Sequence, residues 1–264
     1  METNQYIIDH YSNNDEDRRL LSRHGSVEFL TTMHYIEKYL NPGDSILEIG
    51  AATGRYSHYL ARKGYAVSAV ELVEHNIEVF QQNTMIGENI TIIQGNAMDL
   101  SVFPDNVYDI TLLLGPLYHL YNKEDKRQAL GEAIRVTKHG GVVFAAYIIS
   151  DGCILDEGFK RGNINVAAYI EKGLIDPQTF TAHSEPKDLF ELVRKEYIDD
   201  LMSAFPTTRL HYVASDGYAL CMREAVDAMD NATFELYMKY HFATCEREDL
   251  AGISSHVFDI FMKD

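Results

Sequence analysis

The sequence predicts a doubly wound α/β domain, on three observations. Short apolar runs alternate with helical stretches from residue 45 to residue 149. The runs are apolar nearly throughout, as in strands of a parallel sheet covered on both faces. The first run passes straight into a glycine turn and a helix, in ILEIGAATGRYSHYLA (46–61). Ligands of such sheets lie beyond the carboxyl ends of the strands.

The elements follow in order. SVEFLTTMHYIEKYL spaces Val27, Leu30, Tyr35, Ile36 and Leu40 as one helical face, and NPGD stops it. SILEI (45–49) is a strand and GRYSHYLARKG a helix ended by Gly64; AVSAVEL (66–72) is a strand and EHNIEVFQQN a helix. ITIIQG (90–95) and YDITLLLG (108–115) are the third and fourth strands. NKEDKRQALGEAIRVTKHGG starts on Asn122 as N-cap and is expected to run to Gly140, and VVFAAYII is the fifth strand. Beyond residue 150 the rhythm breaks. EPKDLFELVRKEYIDDLMSAF is the clearest helix there, and TRLHYVAS resumes a strand. DNATFELYMKYHFATCERE is a helix capped near Asp230 or Asn231, and SSHVFDIFMK a last strand with an alternating face. The division expected is a helical lid at 1–40, an α/β domain at 41–150 and 206–264, and an inserted cap at 151–205.

With 46% hydrophobic and 24% charged residues the composition is that of an ordinary globular chain. The 40 acidic and 23 basic residues give a net charge of −17, a field that opposes nucleic-acid backbones and anionic membranes. The amino terminus, METNQYIIDHYSNNDEDRR, has no apolar signal core. Cys153, Cys221 and Cys245 form no CxxC pair, so the expectation is a cytoplasmic protein without disulfide framework or zinc site. The histidines form no HExxH or ordered cluster, and no metal is expected.

A carboxylate, Glu48, stands at the mouth of the glycine turn, where it would repel the phosphates such turns usually collect. A dinucleotide fingerprint would need Gly at 50, 52 and 55; the chain has Gly50, Ala52 and Arg55. The pattern present is Glu-x-Gly-x-Ala-x-Gly, from Glu48 through Gly50 and Ala52 to Gly54. It resembles the first motif of the class I S-adenosylmethionine-dependent methyltransferases, an acidic residue followed by G-x-G-x-G. That cofactor is an ammonium and a sulfonium without phosphate, so a carboxylate suits it.

Over residues 44–148 the resemblance continues through IIQGNAMDL, FPDNVYDITLLLGPLYHL and RVTKHGGVVFAAY. It implies a seven-stranded, mostly parallel Rossmann-like sheet and S-adenosylmethionine as cofactor. It also implies a cofactor site built from Glu48, Gly50, Ala51, Gly54, Glu71, Leu72, Asn96, Ala97 and Leu114. Glu71, ending the second strand, would accept from the ribose hydroxyls. Asn96, where the family has aspartate, would meet the adenine amino group.

Methyl transfer needs alignment in a dry pocket, and a general base only when the acceptor must lose a proton. Tyr118 and His119 follow the Gly-Pro turn after the fourth strand and are the catalytic candidates, His119 as base or as pocket wall. Tyr147 is a further pocket candidate. In the amino-terminal lid, Tyr11 would cover the methyl group and Arg23 pair with the methionine carboxylate. Tyr240 and His241 lie on the last helix; a satisfied structural histidine is the favoured reading for His241, substrate contact the other.

The expected function is methyl transfer to a small molecule enclosed by lid and cap, with no nucleic-acid or membrane partner. Alternatives are a protein or peptide methyltransferase, which needs an open groove, and a sensor that binds the cofactor without turnover. An oxidoreductase is the remote one. Acceptor atom and oligomeric state are left open.

Overall fold

The computed structural model describes residues 3–13 and 22–264. The polar turn NDEDRRLL (14–21) of the expected lid lies outside the described residues. Two helices precede the sheet, α1 (Thr3–Asn13) and α2 (Arg23–Tyr39). The alternation then runs β1 (Ser45–Ile49), α3 (Arg55–Arg62), β2 (Ala66–Glu71), α4 (Glu74–Asn83), β3 (Ile90–Gln94), β4 (Tyr108–Leu113), α5 (Lys123–Val136) and β5 (Thr137–Ile149). A helical stretch through Ser150–Cys153 and Ile154–Lys160 leads to α6 (Val166–Glu171), β6 (Leu192–Val193), α7 (Lys195–Met202) and β7 (Thr207–Ala214). The chain ends with α8 (Arg223–Asp227), α9 (Asn231–Thr244), the short helix Glu248–Ala251 and β8 (His256–Lys263).

The strand order is β3-β2-β1-β4-β5-β8-β7, with β6 paired to β5. β1 to β5 are parallel, and β8 runs antiparallel to both its neighbours. The order reverses between β1 and β4. Alternate side chains divide the core. Leu47, Ile49, Val143, Ala145 and Tyr147 face α5 and α7, while Ile46, Leu112, Phe144 and Ala146 face α2 and α3. Both faces of the sheet are dry, the condition that makes near-continuous apolar strands favourable.

Three sequence expectations need correction. Helix α5 begins as expected, with the Asn122 side chain accepting from Asp125 N at 2.7 Å, but ends at Val136. Thr137 already pairs with Tyr108, and a register shift carries the strand past Gly140. The helix expected over 185–205 is confined to α7. Pro186 opens a 3-10 turn, Leu189 takes φ +67°, and Leu192–Val193 pair with Ile148–Ile149 as an eighth strand. The α7 residues Ile198, Leu201 and Met202 pack in the main core beside α5. β8 does not alternate: flanked by β5 and β7, it is buried on both faces from Val257 to Phe261.

The turn after β1 is built on left-handed backbone at Gly50 (φ +76°), Ala52 (φ +46°) and Gly54 (φ +92°). At Gly54 a Cβ would stand 2.5 Å from the Phe80 ring and 2.7 Å from His58 Nε2. Gly54→Ala should therefore cost about 2–5 kcal/mol, combining left-handed strain with overpacking. Urea unfolding followed by circular dichroism measures it; a loss under about 1 kcal/mol would show that the turn relaxes.

Candidate active site

The carboxyl ends of β1, β2 and β4 open into a cleft between the turn 50–56 and the loop 114–120. Glu48 and Glu71, 2% and 6% exposed, end neighbouring strands at its floor. Glu48 Oε2 accepts from Ser57 N at 2.9 Å and from Ser57 Oγ. Ser57 lies in the first turn of α3, whose N-cap Gly54 offers no side chain, so the strand-end carboxylate satisfies a donor the helix leaves open. Burial pushes the Glu48 carboxyl up to about 8, helped by the negative charge of Glu71. Glu71 Oε2 accepts from Ala52 N at 2.8 Å, and Oε1 from Val73 N at 2.9 Å and Asn76 Nδ2 at 3.3 Å. Burial raises its carboxyl as well, against those bonds. Two buried carboxylates of like charge favour a cationic ligand on their cleft side.

The opposite wall is the exit of β4. Tyr118 Oη donates to Leu114 O at 3.2 Å, and a Cβ on Gly50 would come within 2.7 Å of Pro116 Cδ, so the two loops touch across the cleft floor. His119 is buried. Its Nδ1 lies 2.9 Å from Leu189 O, and its Nε2 lies 3.0 Å from Tyr11 Oη. A carbonyl only accepts, so Nδ1 carries the proton and Nε2 accepts from the tyrosine hydroxyl. Burial pushes the His119 imidazole down to about 4, with nearby His10 adding to the effect; it is neutral at physiological pH. Helix α1 brings Tyr11, Ile7 and Asn4 to the cleft and packs on α4 and the Pro186–Asp188 turn.

Most of the site residues expected from sequence meet here. Glu48, Gly50, Ala51, Glu71, Leu72, Asn96, Ala97, Leu114, Tyr11, Tyr118 and His119 line one cleft. Asn96 Oδ1 also accepts from Met98 N at 2.9 Å, closing its own turn. Gly54 stays outside the lining, its missing Cβ used by Phe80 and His58. Arg23 is elsewhere: it bonds Asn231 Oδ1 at 2.9 Å and lies over the Phe234 ring, joining α2 to α9. Tyr147 is in the core on the α5 face. His241 is bonded to Thr31 Oγ1 at 2.9 Å and pushed down to about 4 by burial, which is the structural histidine.

Sequence inspection passed over several residues of the cleft. Arg55, with its guanidinium 4.6 Å over the Phe29 ring, and Tyr56 come from the first turn of α3, and Glu28 from α2. Arg55 was legible as the residue after the last glycine of the motif. Outside the lining, Phe190 backs His119 at 5.3 Å and Tyr118 at 5.7 Å between ring centroids, with no motif of its own. Glu28, Asp216 and His256 also bring three ligand-type atoms within 4.8 Å of one another. Asp216 there accepts from Ser254 Oγ, Ser255 N and His256 Nδ1, a set that already serves its carboxylate.

Residues 47–145 match the family model of a methyltransferase domain. That match agrees with the turn, the paired carboxylates and the strand order. Residues 47–145 thus carry a domain of the S-adenosylmethionine-dependent methyltransferase kind. The cofactor of that domain is S-adenosylmethionine, and the donor set fits it: a cation relieves the buried pair Glu48 and Glu71. A glycine/sarcosine N-methyltransferase from Aphanothece halophytica is 27% identical over 172 residues, 60% of this chain and 63% of that protein. The chain thus spans less than two thirds of that relative's length, and 25% of a phosphoethanolamine N-methyltransferase 1 from Triticum aestivum that is 28% identical over 49% of this chain. Among solved structures, the PH0226 protein from Pyrococcus horikoshii OT3 shares the fold with a TM-score of 0.60 at 15% identity, covering 96% of this chain and 93% of that one.

Binding of a cationic cofactor to this floor should release a proton from Glu48. The carboxyl is protonated below about 8 in the free protein and is driven toward ionisation by a neighbouring cation. Affinity for S-adenosylmethionine should rise from pH 6 to pH 8 and level off above, and Glu48→Gln should flatten that rise. Calorimetry in buffers of different ionisation enthalpy counts the proton. Glu71→Ala should lower cofactor affinity at least about tenfold and, by freeing Ala52 N and Val73 N, cost about 1–3 kcal/mol of stability; unchanged affinity removes Glu71 from the ribose.

Proposed function

We propose that the protein transfers a methyl group to a small-molecule acceptor held between α1 and the β4 exit loop. The observation that carries this reading is the hydrogen bond from Tyr11 Oη to His119 Nε2. It joins the amino-terminal helix to the loop at the end of β4, over the floor that bears Glu48 and Glu71. A lid joined in this way leaves room for a small acceptor and excludes water. The glycine/sarcosine and phosphoethanolamine methyltransferases named above carry small-molecule acceptors in their names, which supports the same class.

The cofactor supplies the electrophilic methyl group. The chain's residues orient and shield it. Glu48 and Glu71 hold the cationic and ribose portions, and Arg55, in the first turn of α3, takes the carboxylate that the sequence reading assigned to Arg23. Asn96, Ala97 and Leu72 border the adenine side. Tyr118 walls the acceptor, with Phe190 packed behind it. Where the acceptor must lose a proton, Tyr11 Oη is the group that can receive it, passing its own to the neutral Nε2 of His119. A protein or peptide acceptor would require α1 to stand away from the loop. The three cysteines are free thiols, which supports a cytoplasmic location.

Methyl-labelled S-adenosylmethionine offered with a metabolite extract should place label in one small-molecule mass peak. Label only in macromolecules would overturn the enclosed-acceptor reading, and none at all would make the chain a sensor. Once the acceptor is known, Tyr11→Phe should lower kcat by about 10²-fold or more while changing cofactor affinity less than about threefold. Equal losses in both would reduce Tyr11 to a lid contact.

A further inference from the structure

The imidazole of His119 can carry its proton on either nitrogen, and only one arrangement leaves Nε2 open to accept from Tyr11. What selects it comes from a segment 70 residues later in the chain. Leu189 takes φ +67° and ψ −41°, and Phe190 N donates to Asp188 O at 2.9 Å around it. This is a γ-turn of the positive-φ kind, rare and strained for a residue with a Cβ. The turn aims the Leu189 carbonyl at His119 Nδ1.

The strained turn is held from both sides. Upstream, Glu185 and Asp188 form a reciprocal capping box around Pro186. Downstream, Glu191 N donates to Tyr118 O at 2.8 Å, and the Glu191 carboxylate pairs with Lys126, a buried lysine of α5 that also donates to Leu120 O. Lys126, through Leu120 O, and Glu191, through Tyr118 O, thereby tie the residues on either side of His119 to the segment that carries its carbonyl partner. A lysine 1% exposed is kept there at a desolvation cost that a surface pair would avoid.

We propose that Leu189 and the Lys126–Glu191 pair are positioning residues for His119: the carbonyl fixes the proton on Nδ1, and the ion pair fixes the carbonyl. The proposal rests on the reading that His119 serves the acceptor side of the cleft. It explains why a leucine occupies a position where glycine would be relaxed, since the segment around it over-determines the turn.

The test is nitrogen-15 spectroscopy of histidine-labelled protein, with the His119 signals assigned by their absence in His119→Gln. The intact chain should give one Nδ1-protonated tautomer. Leu189→Gly, which reaches positive φ freely, should retain it. Leu189→Pro, confined to negative φ, should give a mixture of tautomers, with kcat lowered about 10- to 100-fold and affinity for S-adenosylmethionine unchanged. Should Leu189→Pro not fold, Glu191→Ala leaves the backbone bonds in place and is expected to give the same mixture in smaller proportion. An Nε2-protonated tautomer in the intact chain, or a single Nδ1-protonated tautomer in every folded variant, overturns the proposal. A correct tautomer in a protein that methylates no small molecule overturns the proposed function and leaves the positioning intact.

Discussion

Two buried carboxyls that cannot both ionise comfortably without a cation set the terms of this fold. Glu48 and Glu71 end adjacent parallel strands and lie buried at one cleft floor. Each is held by bonds to the chain around it: Glu48 by the first turn of α3, Glu71 by the backbone of the glycine turn and the start of α4. The carboxylates are therefore part of the local architecture before any ligand arrives. Because hydrogen bonds fix their oxygens and burial raises both carboxyls, the electrostatic demand is directed into the cleft.

The turn between those strands follows from the same demand. Glu71 reaches back to Ala52 N, and that bond requires the backbone to curl over the end of β2 with Ala52 at positive φ. A methyl side chain is tolerated there because nothing polar is lost, at the cost of the left-handed region. At Gly50 there is no such latitude. The sheet order reverses between β1 and β4, and the loops leaving those two strands meet at Gly50 and Pro116. A side chain at 50 would push the loops apart and displace the chain that carries Tyr118 and His119. The cofactor half and the acceptor half of the site are thus coupled through one missing Cβ.

The fold was largely legible because its signals are local: apolar runs of strand length, glycine stops, and an Asn122 cap that acts as its letters suggest. That residues at strand ends, from Glu48 to Leu114, share one cleft was legible for the same reason, since topology puts all parallel strand ends on one edge. Arg23 and Tyr147 fall outside the cleft because residue type and proximity to a strand or lid say nothing about which face a side chain takes, whereas His241 is the structural histidine that was the favoured reading. Tyr147 falls on the α5 face, one residue from the face that would have looked elsewhere. The stretch 185–193 reads as helix because Lys, Glu and Leu dominate it. Pro186, the strained Leu189 and the pairing of Leu192–Val193 with β5 are tertiary facts that override the propensity.

That overridden stretch is what completes the surroundings of His119. Tyr11, His119 and Leu189 come from three distant parts of the chain, and none of the three contacts has meaning alone. Without Leu189 O the imidazole proton is not assigned; without the imidazole lone pair the Tyr11 hydroxyl has nothing to donate to in the loop. Without α1 the hydroxyl is absent. Helix α1 also packs on α4, which Asn76 ties to Glu71, and on the Pro186–Asp188 turn. Its seating therefore touches both halves of the site at once. A helix that rests on the cofactor side and bonds to the acceptor side excludes water from the space between only when both are in register. The same contacts that order Tyr11 and His119 thus also hold α1 across the cleft.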